Sequence, residues 1–114
     1  MDQPIPEVSR ADVERIVRRD FAAAIFATVV AFLDDYEADN ERGRSRVQLA
    51  MLKLADGSLE VLRREVAEAK RDYRDVLCAA EYPGFCWDSH RLPKEEREKI
   101  IDADWQQYTE WLNR

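Results

Sequence analysis

Turn-forming residues are scarce in this chain, which has 3 Gly and 4 Pro. That leaves little material for the tight turns of an all-β fold. Its 2 Cys, Cys78 and Cys86, are too few for the disulfide framework of a small secreted domain. With His90 as the single histidine, the ligand supply for zinc is thin as well. Positive charge is in deficit, with 18 Lys and Arg against 24 Asp and Glu and a net charge of −6. A nucleic-acid binder would show a basic excess or a concentrated basic face. Arg42, Arg44 and Arg46 cluster, but the acids of 34–41 sit directly upstream, so no nucleic acid is expected as a partner. The longest apolar stretch, Phe21–Leu33, has 13 residues where a bilayer span needs roughly 20. No membrane partner is expected. The opening Met1-Asp2-Gln3-Pro4 lacks the basic start and apolar segment of a secretory signal. A reducing, cytoplasmic setting is the resulting expectation.

What the chain does contain points to helices. Its hydrophobic share is 46% and its charged share 37%. That balance suits a helical protein with heavily charged outer faces. Its 114 residues make one domain, 1–114, able to bury a core without staples. Pro4 and Pro6 make residues 1–8 an extended arm. Ser9, with Asp12 three residues on, begins a first helix. Apolar spacing carries it from about Arg10 to Ala38, some 29 residues. Val13, Val17, Phe21, Ile25 and Phe32 share one face. Phe26, Val30 and Leu33 lie opposite, with Ala23 and Ala27 beside them. A helix apolar on both sides is covered on both sides. The expectation is that a second copy covers Ala23, Phe26, Ala27, Val30 and Leu33.

Residues 39–45 read as a polar connection, and Ser45 with Gln48 has capping-box spacing. A short second helix follows over about Arg46–Ala55, ended by Asp56-Gly57. Asp-Gly between alternating apolar residues is also a hairpin signal for 52–61. The regular pattern beyond it favours helix. From Ser58 to Glu81, the residues Leu59, Leu62, Val66, Ala69, Tyr73, Val76 and Ala80 recur at steps of three and four. That seam belongs to a bundle helix. Residues 82–92 form an aromatic loop holding Phe85, Cys86, Trp87 and His90. Pro93 suits the first position of a last helix, about Pro93–Leu112. The predicted fold is all-α and four-helix bundle-like, with one long, one short and two mid-length helices.

Candidate chemistry is sparse. Cys86 and His90 are spaced to meet in a helical turn, where the pair would make a thiolate nucleophile. No orienting third residue and no oxyanion motif accompany them, so small packing residues in a folded loop are the better reading. Cys78, Cys86, Asp88 and His90 supply four metal ligands on paper, but C-x7-C-x3-H departs from the usual zinc spacings. A Cys78–Cys86 disulfide is geometrically allowed and disfavoured in a reducing compartment. The acids Asp34, Asp35, Glu37, Asp39 and Glu41 have the density of a calcium loop. Counted from Asp35, however, the sixth residue is Asn40 and the twelfth Arg46, where the EF-hand needs Gly and Glu. The dense charges at Lys70–Asp75 read as ion pairs to Arg46 or Lys53 rather than as a docking surface.

The stretches Val47-Gln48-Leu49-Ala50, Leu54-Ala55-Asp56-Gly57 and Lys70-Arg71-Asp72-Tyr73-Arg74-Asp75-Val76-Leu77, followed by Ala80-Glu81-Tyr82-Pro83, resemble an uncharacterised family of small bacterial all-helical proteins. The resemblance covers about a third of the chain. It implies a bacterial, cytoplasmic source and helix rather than hairpin at Asp56-Gly57. It carries no activity, ligand or site residue.

No catalytic residue, cofactor or metal is therefore assigned. The functional expectation is a non-enzymatic protein–protein interaction or structural protein, acting as a homodimer and open to another protein partner. The alternative is a small-molecule-binding bundle in which Phe85, Trp87, Trp105 and Tyr108 line an aromatic pocket near the 82–92 loop.

Overall fold

The structure is a computed structural model that describes residues 4–38, 40–88 and 91–114, and the side chains of all of these except 41, 42, 87 and 88. The described residues form six α-helices and no strand. The all-α expectation holds, but the chain does not divide into four simple helices.

The long first helix is the main correction. Helix α1 covers Arg10–Asp20, a 3-10 turn covers Ala23–Ile25, and α2 covers Phe26–Asp34. Ser9 opens α1 as expected, its N–H donating to Asp12 Oδ2 at 3.0 Å. Phe21, with φ −126° and ψ 152°, and Ala22, with φ −62° and ψ 143°, are extended and stop the helix. No Gly or Pro marks this point, so tertiary packing sets it. The break restarts the helical phase. Val29, Leu33 and Tyr36 now turn into the core together with Phe21.

Helix α3 spans Glu41–Ala55 and begins earlier than expected. Asn40 is its N-cap, with Oδ1 accepting from Gly43 N at 2.6 Å. Ser45 and Gln48 therefore form no capping box. They lie inside the helix and are buried. The buried Gln48 amide donates to Leu33 O at 2.9 Å, and its oxygen accepts from Arg10 Nη1 at 3.1 Å. It thereby ties the end of α2 to α1.

Asp56, in the left-handed region at φ 48°, and Gly57, at φ 80°, turn the chain, and Ser58 Oγ caps α4 by accepting from Val61 N at 3.2 Å. Helix α4 covers Leu59–Glu81 and packs antiparallel on α3, the most extensive helix contact among the described residues. The hairpin alternative is excluded. Most of the predicted seam is buried: Leu62, Val66, Ala69, Val76 and Ala80. Tyr73 is the exception, at 47% exposed. Asp72 is extended inside this helix, at φ −157° and ψ 98°. Its Oδ1 accepts from Arg74 N at 3.1 Å, which makes Asp72 an N-cap for a restarted helix and moves Tyr73 off the seam.

Part of the expected 82–92 loop is helical. Helix α5 covers Pro83–Asp88, and α6 covers Lys94–Leu112. Pro93 is the N-cap of α6 rather than its first residue. The arm is also tied down. Pro6 and Val8 are buried, and the Tyr82 hydroxyl donates to Pro4 O. One core cluster joins α1 to α4, with Tyr108 and Trp111 of α6.

Candidate functional site

Helix α6 turns Ile101, Asp104, Tyr108 and Trp111 inward, at steps of three and four. That geometry separates Phe85, Trp105 and Tyr108, three of the four aromatics expected to share a pocket. Tyr108 is 1% exposed and packs in the core beside Trp111, with ring centroids 5.6 Å apart. Trp105, one step from the inward stripe, is half-buried. Phe85 of α5 is half-buried and lines a cleft of about 100 Å³ with Lys94, Arg97, Glu98 and Ile101. Neither Trp105 nor Tyr108 lines that cleft. The side chain of Trp87 lies outside the described residues.

Behind Phe85 is a buried carboxylate that the sequence reading passed over. Asp104 accepts from Gly84 N at 3.0 Å and from Phe85 N at 2.8 Å. It caps the start of α5 from across the structure. The fit is close, since a Cβ at Gly84 would meet Asp104 Oδ1 at 2.9 Å.

A second buried polar group joins α3 to the end of α4. Arg46 Nε and Nη2 donate to Glu81 Oε2 and Oε1 at 2.9 and 2.7 Å. Glu81 is 2% exposed. This bidentate bond holds the Arg46 guanidinium even more firmly protonated than usual. The expected partner of Arg46 was the Lys70–Asp75 segment. Instead Lys70 pairs with Asp35 at 3.0 Å, Arg74 with Asp72 at 3.0 Å and Arg71 with Glu68. The Tyr108 hydroxyl is buried with no hydrogen-bond partner among the described residues. Burial, and next the Glu81 charge, push its phenol well above the usual range.

Cys78 of α4 and Cys86 of α5 are joined in a disulfide, with Cα atoms 6.0 Å apart. The bond spans 8 residues, so closing that loop contributes about 2.5 kcal/mol in the chain-entropy model. Cys86 is therefore no free nucleophile in this state. His90 lies outside the described residues, as does the Asp88 side chain. Among the described residues, no three His, Cys, Asp or Glu side chains converge as a metal site.

The face expected to meet a second copy divides in two. Leu33 is 0% exposed and belongs to the chain's own core, because the break at Phe21 re-phases α2. Phe26 and Val30 are half-buried against that core. Ala23 and Ala27 are exposed, as are Ala22, Ala24, Thr28 and Ala31. Arg18 lays its guanidinium over the Phe26 ring, 4.8 Å from the centroid, and Arg63 does the same over Phe32 at 5.7 Å. The long stems of both arginines shield aromatic surface that would otherwise face water.

Beyond α2 lies a groove of about 880 Å³ that the sequence did not announce. It runs between the end of α2, the start of α3 and the middle of α4. Tyr36, Val47, Ala69, Tyr73 and Leu77 are among its lining residues, with the Asp35–Lys70 pair on its wall. Burial, and next Tyr73, push the Tyr36 phenol upward.

Comparison with known protein families, curated proteins and solved structures finds no match to this chain. Its function is therefore argued from its own chemistry.

Proposed function

We propose that the chain is a non-enzymatic interaction protein that works as a homodimer paired through α2. One observation carries the reading. The segment 21–33 has no charged side chain, yet it lies on the surface with Ala22, Ala23, Ala24, Ala27, Thr28 and Ala31 exposed. The exposed faces of α1, α4 and α6 are charged instead, as at Arg15, Arg64 and Glu96. A helix in water normally turns its charges outward, and an uncharged outer face calls for a cover.

A second copy fits that cover on two grounds. Alanine-rich faces let two helices approach to the short end of the usual 8–10 Å spacing. The ends of α2 also differ in sign, with Arg18 over its start and Glu37 just beyond its finish, where Asp34 and Asp35 are already paired with Arg10 and Lys70. A two-fold axis across α2 sets each basic end against the partner's acidic end. In this reading the six helices act as one bundle-like bacterial domain of the cytoplasm, as the family resemblance implies.

Ala27→Glu tests the interface, because Ala27 is exposed and its replacement leaves the core alone. Sedimentation velocity should give a dimer for the wild type at high micromolar concentration and a folded monomer for the variant. A monomeric wild type, or a variant that stays dimeric, overturns the reading.

The groove supports a second reading, as a small-molecule site. Its volume falls in the usual range for such sites, about 300–1,000 Å³. It lies at α2, α3 and α4 rather than beside the 82–92 segment. In a ligand screen by thermal shift, Tyr73→Ala should abolish any stabilising hit. Hits that persist in that variant belong elsewhere.

A further inference from the structure

We infer that Cys78 and Cys86 form a reversible thiol–disulfide couple, and that the sulfur of Cys86 is the one that takes up a low-mass thiol. Four observations converge on this site.

The two cysteines differ in access. Cys86 is exposed, whereas Cys78 is half-buried on α4. An incoming thiol meets Cys86 first, and access is one determinant of which sulfur is attacked.

Both cysteines line one cavity of about 210 Å³ with Arg46, Arg74, Leu77, Glu81 and Tyr82. That space admits the sulfur end of a small thiol. Two of its lining side chains are guanidiniums, Arg46 paired with Glu81 and Arg74 with Asp72, so the wall is polar and hydrogen-bonding where Cys78 must leave as a thiolate.

The bond also closes a short loop, so opening it costs only the modest loop-closure contribution of about 2.5 kcal/mol. The core cluster of α1 to α4 lies elsewhere, and neither cysteine is among its members.

Finally, α5 has a second restraint that is independent of sulfur. The Asp104 carboxylate holds Gly84 N and Phe85 N at 3.0 and 2.8 Å. Opening the disulfide removes the sulfur tie between α5 and α4 and leaves α5 held to α6. A site built this way opens and recloses without unfolding the domain.

The exchange balances as two steps. A thiol loses its proton to water, and its thiolate attacks Cys86 Sγ. The Cys78–Cys86 bond breaks, a mixed disulfide forms at Cys86, and Cys78 leaves as a thiolate that water protonates. A second thiolate attacks the sulfur of the attached thiol. That step releases the small disulfide and leaves Cys86 as a thiolate, which water also protonates. Two electrons pass from two small thiols to the protein disulfide, and the reverse sequence restores it.

The test uses the full chain with glutathione as the probe, N-ethylmaleimide quenching, intact-mass and peptide mapping, and far-UV circular dichroism. Reduced glutathione should open the oxidised wild type without denaturant and with unchanged helicity. Under oxidised glutathione, Cys86 in the Cys78→Ser variant should gain the adduct about tenfold faster than Cys78 in the Cys86→Ser variant. The inference is overturned by a bond that resists glutathione until urea is added. It is equally overturned by equal or reversed rates, by lost helicity on reduction, or by two thiols that stay free in oxidised glutathione.

Discussion

Removing the hydroxyl of Tyr108 should stabilise this protein. Tyrosine-to-phenylalanine changes in a core usually cost stability, because the hydroxyl has a partner to lose. Here the hydroxyl is buried without one among the described residues, in a side chain only 1% exposed. Leaving water without a replacement hydrogen bond costs about 1–3 kcal/mol on the scale of protein mutational data. Tyr108→Phe keeps the ring, its packing on Trp111 and the core volume, and removes that cost. A gain of about 1–2 kcal/mol is expected. An unfolding entropy of about 2.1 cal/mol/K per residue gives about 0.24 kcal/mol/K for 114 residues, so Tm should rise by about 4–8 °C.

The gap should widen in alkali. Burial raises the folded-state pKa of Tyr108 above the ordinary 10.0, so the unfolded chain ionises first and wild-type stability falls as pH rises past 10. Phenylalanine removes this loss, while that from Tyr82, pushed up to about 12, remains. Urea denaturation at pH 7 and pH 10.5 measures both effects. Destabilisation by 1 kcal/mol or more at pH 7 would show that the hydroxyl is satisfied after all and refute the reasoning.

Four other substitutions probe the polar contacts. Arg46→Ala should cost about 3–5 kcal/mol in urea titrations, because it strands a carboxylate that is 2% exposed. Glu81→Gln should cost less, because the Arg46 side chain is 28% exposed and can turn to water; the reverse order would contradict the burial argument. Gly84→Ala should cost about 1–3 kcal/mol in Tm-derived stability, since the new methyl would press on Asp104 Oδ1 and Ile100 Cγ2 at 2.9 and 3.1 Å. Glu65→Gln should stabilise slightly at pH 7: burial, and next Glu68, raise the folded-state pKa of Glu65, so its ionisation favours the unfolded chain as pH rises past about 4.5. That advantage should vanish below pH 4.

The helical class and the α3–α4 turn were legible because their signals are local. Asp56-Gly57 and Ser58 act within a few residues, and the burial of Leu62, Val66 and Ala69 follows from spacing alone. The break at Phe21 was not legible. Its residues favour helix, and only the competing burial of Phe21, Val29 and Leu33 in one core selects an extended bend. Two misreadings came from weighing a true signal against the wrong neighbour. Gly43 read as a loop residue, although Asn40 in front of it caps a helix that absorbs it. Asp72 read as one charge among many, although its acceptor geometry restarts α4 and carries Tyr73 outward.

The same distinction governs the candidate sites. A pocket of aromatics was inferred from composition near one segment, but composition does not say which side of α6 faces inward. Once Asp104 is drawn in to hold α5, Tyr108 and Trp111 follow it into the core, and Trp105 is left at the edge. The groove, by contrast, depends on three elements that are distant in sequence. It exists because α2 starts afresh after the bend, because α3 begins at Glu41, and because α4 is interrupted beside Tyr73. Each of those departures from regular helix is set by long-range burial or by a single side-chain cap. No periodicity can register them, and the surfaces most open to partners lie where regular helix was interrupted.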